Sequence, residues 1–217
     1  MRFSNVFFLT LLGSVMLSAA GLNIANPGFE SPDISLGGCG LNGGTYIYNP
    51  AGCGQAWTFQ GGSGLTQSPS AFNNPVGPDG SAQAAFLQNT SDFSQTITGL
   101  DIGRLYTISF YAIQRTCCDG AFAQTVSVQF DGAALTFNNA ASTFVQPVTT
   151  DWTQYTTDSF VAQNATALLS FEGNHVGGDS TAFVDQITST ETTPEPGTWG
   201  LLASGLGGLV WSRRRKK

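Results

Sequence analysis

Tyr106-Thr107-Ile108-Ser109-Phe110-Tyr111-Ala112-Ile113-Gln114 and Val126-Ser127-Val128-Gln129-Phe130-Asp131-Gly132 are the stretches that decide the fold class. Apolar residues recur at every second position: Tyr106, Ile108, Phe110 and Ala112 in the first, Val126, Val128 and Phe130 in the second. A period of two lines one face of an extended chain, whereas a helix would scatter these residues around its circumference. Asp131-Gly132 closes the second run, and Asp-Gly between alternating stretches is a strong hairpin signal. Outward from this pair, residues 82–88, 92–98, 106–114, 124–130, 134–138, 152–162, 165–172 and 181–188 read as strands separated by turn chemistry. No run with helical period occurs between residues 21 and 190. So many short strands predict an all-β, antiparallel two-sheet sandwich.

The 217 residues leave room for one sizeable domain with short address segments, and too little for two independent cores. The 27 glycines suggest a flexible polymer, but 16 Phe and four Trp argue for a packed interior, since disordered chains are poor in aromatics. Between residues 21 and 190 only Arg104 and Arg115 face twelve acids, a charge of about −10. That balance excludes a duplex nucleic-acid partner, which needs a basic patch to displace counterions.

Residues 1–20 read as a signal peptide: Arg2, an apolar run over residues 6–17, then Ser18, Ala19 and Ala20, with cleavage after Ala20. The apolar run is shorter than the roughly 20 residues that cross a bilayer. In an exported chain the even set Cys39, Cys53, Cys117 and Cys118 predicts two disulfides. Adjacent cysteines point to opposite sides of an extended chain, so Cys117 and Cys118 are each expected to reach one of Cys39 and Cys53 and tether the loop of residues 34–56. The pairing stays open. Zinc-ribbon spacing is absent, and His175 is the chain's one histidine.

At the other end Pro194-Glu195-Pro196 precedes an uncharged stretch, residues 197–212, and then Arg213, Arg214, Arg215, Lys216 and Lys217. As a helix the stretch would span roughly 24 Å, short of the roughly 30 Å hydrocarbon core. Five cations at its end orient it with the domain outside. The tail resembles the PEP-CTERM sorting tail of Gram-negative, exopolysaccharide-producing bacteria, over about residues 193–217. The resemblance implies recognition by an exosortase, a membrane cysteine transpeptidase that cuts near Pro-Glu-Pro. The chain would be anchored transiently in the inner membrane by its tail, then released or re-attached at the cell surface. The expected organisation is a signal peptide (1–20), a β-sandwich (21–190), a linker with Pro-Glu-Pro (191–197), and an apolar helix with a basic end (198–217).

A second resemblance spans about residues 22–190. Asn26-Pro27-Gly28-Phe29-Glu30, Trp57, Asp79-Gly80, Phe93-Ser94-Gln95-Thr96-Ile97, Gly99-Leu100, Gly103, Tyr106 to Phe110 and Ala182-Phe183-Val184-Asp185-Gln186-Ile187 are similar, in that order, to jelly-roll domains of the galactose-binding-like type. Many of those are carbohydrate-binding modules, so the resemblance implies a jelly roll first and a sugar ligand second. In strict alternation Asp185 shares a face with Phe183 and Ile187, and a buried carboxylate must be paired or bound to a cation. The resemblance sets the last strand's acid beside the opening segment, which implies a structural Ca²⁺ held by Asp185, Glu30 and backbone carbonyls. Two alternatives stand beside it: Val184 faces inward and leaves Asp185 in water, or Arg104 pairs with Asp185. No cofactor is required.

Tyr46, Tyr48, Trp57, Phe59 and Phe72 lie in the loop-rich first third, and flat rings with polar handles suit the CH faces of sugars. Tyr46, Tyr48 and Trp57 are the glycan-binding candidates, although core packing is the favoured reading for Trp57 and Phe59. No catalytic residue is assigned: His175 sits in a turn-rich loop without a nucleophile elbow to serve. The function expected is an exported, non-catalytic surface or matrix protein that binds a neutral or cationic polysaccharide weakly, a neutral one by preference. The alternatives are a polysaccharide hydrolase using two of the acids, and a tail-anchored structural surface protein that binds no glycan.

Overall fold

The computed structural model describes residues 21–37, 44–52, 55–116, 124–175 and 178–192. Its strands are β1 (Tyr46–Tyr48), β2 (Thr58–Gln67), β3 (Gln83–Thr98), β4 (Leu105–Gln114), β5 (Val126–Phe130), β6 (Ala133–Ala134), β7 (Phe144–Val145), β8 (Thr153–Thr156), β9 (Phe160–Val161), β10 (Thr166–Gly173) and β11 (Thr181–Thr192). Every pairing is antiparallel. One layer runs β1-β2-β3-β11-β4-β8, with β9 also on β4. The other runs β3-β10-β5, with β6 and β7 at its edge. The expected jelly-roll sandwich is thus present.

Hydrogen bonding joins the layers because β2 and β3 pass from one to the other. Residues 85–88 of β3 pair with β11, and residues 91–98 pair with β10. The crossing lies at Gly61 (φ 66°) and Asn89 (φ 54°), where the β2 register also shifts. A side chain on Gly62 would overlap the Gln88 carbonyl, so glycine lets the paired strands bend together.

Alternation fills the space between layers. Ile108, Phe110, Ala112, Leu65, Leu87 and Val184 meet Phe93, Ile97, Val128, Leu169 and Phe171. Phe93 stacks on Phe171 at 5.1 Å, and Trp57 stands edge-on to Phe93 at 5.3 Å. Burying each such side chain is worth about 1.5–3 kcal/mol. Phe29 closes one end of this core, and two buried glutamines hold the opening segment in place. Gln95 exchanges 2.9 Å bonds with the Ala25 amide and carbonyl. Gln83 donates to the Phe29 carbonyl (2.7 Å) and accepts from the Ile34 amide (2.7 Å).

Several expectations change. Residues 82–88 and 92–98 form one bent strand. Residues 152–162 split into β8 and β9 where Thr157 leaves the ladder and its hydroxyl accepts from the Ile108 amide (3.0 Å). Of residues 134–138 only Ala134 is in a strand and Phe137 in an isolated bridge to Ser142, before a turn at Asn138, Asn139 and Ala140 with φ of 56°, 58° and 62°. Strands β1, β2 and β7 were not foreseen, β2 because its glycines carry no side chain to show a period. Trp57 is corrected as a glycan residue: it is 1% exposed, and its indole N–H donates to the Asn26 carbonyl (3.0 Å), so no ring face is offered to a ligand. The signal peptide, Cys39, Cys53, Cys117, Cys118 and the tail from residue 193 lie outside the described residues. Among the described residues no helix is long and apolar enough to cross a membrane.

Candidate functional site

The first layer is apolar on its outer face as well. Ala84 and Phe86 of β3, Ile113 of β4 and Phe183 of β11 form a second cluster there, closed by Phe72 and by the partly buried Trp152. Strand β1 edges this face. Tyr46 and Tyr48, two residues apart, turn the same way and stay 42% and 40% exposed. Their rings meet at 6.1 Å, nearly perpendicular, with Tyr46 against Phe72 (5.0 Å) and Tyr48 against Phe86 (5.0 Å). Each tyrosine is therefore buttressed from below and open above.

A polar network adjoins the rings. The Tyr48 hydroxyl donates to Gln88 Oε1 (2.5 Å), and the Gln88 amide donates to Asp179. Arg115 grips the same carboxylate through Nη1 at 2.9 and 2.8 Å, lies 4.7 Å above the Phe72 ring, and donates to the Phe72 and Ala71 carbonyls (3.1 Å each). Burial, reinforced by the Asp179 charge, pushes the Tyr48 phenol above its ordinary pKa, so it stays a neutral donor. The patch combines two fixed rings with an amide, a carboxylate and a guanidinium whose geometry is set before any ligand arrives.

The second cluster of predicted residues surrounds Ser81. Asp185 is fully buried; its Oδ1 accepts from the Gln186 amide (2.7 Å) and its Oδ2 from the Ser81 hydroxyl (3.3 Å). Burial first, then the nearby Asp79 and Glu30 charges, push Asp185 up to about 7. Burial likewise raises Glu30, whose carboxylate accepts from the Gln83 amide (3.0 Å). Both alternatives for Asp185 fall away. Arg104 pairs with Glu191 (3.6 Å), and although Val184 does face the main core, Asp185 is buried on the opposite side. Strict alternation is also corrected: Gln186 (φ 50°) sits in a bulge, so Ile187 joins Val184 in the main core while Phe183 belongs to the outer cluster. The opening segment does lie against this bulge, since the Ile187 amide donates to the Pro27 carbonyl (3.0 Å). Hard carboxylate oxygens with few donors suit a calcium ion. Among the described residues, however, no three His, Cys, Asp or Glu side chains are disposed as a metal cage. Glu30 and Asp185 would hold the ion only together with backbone oxygens.

A third feature was not foreseen. Asp92 of β3 lies directly opposite Glu172 of β10, in a cleft of about 370 Å³ lined also by Gln60, Thr90 and Asn174. Burial raises the Asp92 pKa. Neither strand announces this pairing, because register between distant segments is set by the whole sheet. Gln88, Arg115 and Asp179 were missed as parts of the tyrosine patch; the one available signal was that Arg115 is among only two arginines between residues 21 and 190.

Residues 192–216 match the PEP-CTERM protein-sorting motif, which implies an exported, surface-associated protein. No curated protein matches the chain in sequence. Among solved structures, the Stig cyclase Fisc from Fischerella sp. TAU, in complex with (3Z)-3-(1-methyl-2-pyrrolidinylidene)-3H-indole, superposes with a TM-score of 0.55 at 18% identity. The match covers 82% of this chain and 100% of that one. TmCBM61, in complex with β-1,4-galactotriose, gives 0.49 at 11% identity over 79% of this chain and 99% of that one. The CBM22-1 xylan-binding domain of Paenibacillus barcinonensis Xyn10C gives 0.41 at 13% identity over 69% and 94%. The solved neighbours are largely jelly-roll carbohydrate-binding modules, and the likeness is one of fold.

Proposed function

We propose that this exported protein is a non-catalytic glycan-binding component of the cell surface or extracellular matrix, sorted by an exosortase acting on Pro194-Glu195-Pro196 and the arginine-rich end. The observation that carries the reading is the pair of half-exposed tyrosine rings, braced from below and bordered by the Gln88–Asp179–Arg115 network. Ring faces take the CH surface of a pyranose, and the oriented amide and charged groups take its hydroxyls. A charge of about −10 between residues 21 and 190 disfavours anionic polymers, so a neutral polysaccharide is the ligand. A structural calcium ion at Glu30 and Asp185 belongs to the same reading, as a stabiliser of the opening segment. The test is retention of the full-length exported protein on insoluble neutral polysaccharides. Tyr46→Ala and Tyr48→Ala should each weaken binding by roughly tenfold, about 1.4 kcal/mol. Unchanged retention in both variants overturns the assignment.

A hydrolytic reading has one specific observation in its favour, the Asp92–Glu172 pair. Directly opposed strand residues hold their Cβ atoms about 4.5–5.5 Å apart, close to the roughly 5–5.5 Å between the carboxyl groups of retaining glycosidases. Product analysis of the same samples decides it: reducing ends that disappear in Asp92→Asn would make the protein a hydrolase, and their absence from the wild type leaves it a binder.

A further inference from the structure

At the edge opposite β1, a groove of about 350 Å³ opens between β7 and β8. Alternation shapes both walls. Phe144 (48% exposed) and Gln146 turn outward while Val145 and Pro147 are buried between and behind them. Across the groove Gln154 and Thr156 turn outward while Tyr155 packs on Phe110 at 5.8 Å. Asn138 completes the lining from the neighbouring turn, and among the described residues no charged side chain contributes to it. Among the described residues, no hydrogen bond engages the side-chain amides of Asn138, Gln146 or Gln154.

That turn is held rigidly. Asp158 accepts from the Thr136 hydroxyl (2.7 Å) and from the Asn139 and Ala140 amides (2.9 and 2.7 Å), which fixes three successive residues in the left-handed region. The groove thus offers an open ring face, three unengaged amides that can each donate and accept, and no charge. Those are the requirements of a neutral polyhydroxylated ligand, whereas an ionic ligand would find no counter-charge in the lining.

We propose that this groove is a second saccharide-binding site, so that one copy of the protein holds two glycan chains. The inference deepens the glycan-binding reading above and rests on it for the class of ligand. Strands β1 and β8 end the row β1-β2-β3-β11-β4-β8, five strand spacings or roughly 24 Å apart. A trisaccharide cannot bridge that distance, so stoichiometry can be read directly. Two sites at opposite edges of one rigid sandwich make a cross-link without oligomerisation.

Isothermal titration of the full-length exported protein with cellotriose, xylotriose and β-1,4-galactotriose counts the sites, and turbidity of the matching soluble polysaccharides reads cross-linking. The wild type should bind two trisaccharides per chain and cloud the polysaccharide. Phe144→Ala, and the fully surface change Gln154→Ala, should each leave about one site and abolish clouding, with unchanged thermal melts. Combining Tyr46→Ala with Tyr48→Ala should also leave one site, and that residual site should vanish when Phe144→Ala is added. A single site that the tyrosine changes remove and Phe144→Ala leaves intact would overturn the second site while sparing the first. A single site insensitive to the tyrosines but lost in Phe144→Ala would do the reverse. No binding of any trisaccharide, or protection of the β7 and β8 edges only by an added extended peptide, would refute the proposal.

Discussion

Asp185 makes the sharpest residue-level demand. A carboxylate buried beside Asp79 and Glu30, with two donors and no cationic partner among the described residues, holds its proton up to a pH of about 7. Because the folded state binds that proton more tightly than the unfolded chain, its advantage is complete below the ordinary carboxylate pKa of 3.8. It is lost as pH rises from there to about 7. The loss amounts to up to about 4 kcal/mol, as an order of magnitude. In chelator, thermal melts should therefore fall between about pH 4 and 7 and then level off. Asp185→Asn should flatten that profile and raise the melt at pH 8. Saturating calcium should restore the wild type at neutral pH, with a gain of about 2.7 kcal/mol at a hundredfold excess over its dissociation constant. A melt indifferent to calcium at every pH removes the ion from the account.

Among the elements, β1 depends on a missing side chain. A Cβ on Gly64 would overlap the Ile47 carbonyl and stand 2.8 Å from Phe86 Cζ. Gly64→Ala must therefore push β1 away from β2 or displace the outer cluster, at a cost of about 1–3 kcal/mol. Because β1 carries Tyr46 and Tyr48 while the main core lies on the other side of the sheet, glycan retention should fall more steeply than the melting temperature. A variant that keeps full affinity would show that β1 does not position the rings. Much of the element plan was readable from local pattern: Tyr106 to Ala112 and Val126 to Phe130 bury every second residue as their period demands. Strand β2 was not, since Gly61, Gly62 and Gly64 are required by close backbone approach, which leaves no hydrophobic trace.

For the molecule as a whole, weak sites become useful through number. A shallow, hydroxyl-rich contact recovers little after ordering costs, but two such contacts on one scaffold, repeated over many copies, retain a polymer well. The charge of about −10 on the central residues opposes close approach of copies and would not impede the neutral glycan proposed above. Export sets where this happens. The mature protein should begin at or near Gly21 and lack the tail from about Pro194, and intact-mass measurement on surface-extracted protein checks both ends. A mass that includes residues 213–217 would mean a retained tail anchor instead of a processed protein.

The sorting motif of residues 192–216, the all-β class and the sign of the charge follow from sequence alone, because each is a property of neighbouring residues or of composition. Tyr46 and Tyr48 could be singled out as surface rings for the same reason, as they alternate in a glycine-flanked segment. Only the tertiary structure decided that Trp57 serves the core, that the bulge at Gln186 sends Asp185 and Ile187 to opposite sides, and that Arg115, Asp179 and Gln88 gather beside the tyrosines. It alone brought Phe144 and Gln154 together across a groove. Side-chain direction within a strand is a local matter of period two, but the partner a strand meets is set by packing the whole chain, and the sites of this protein are made where strands meet.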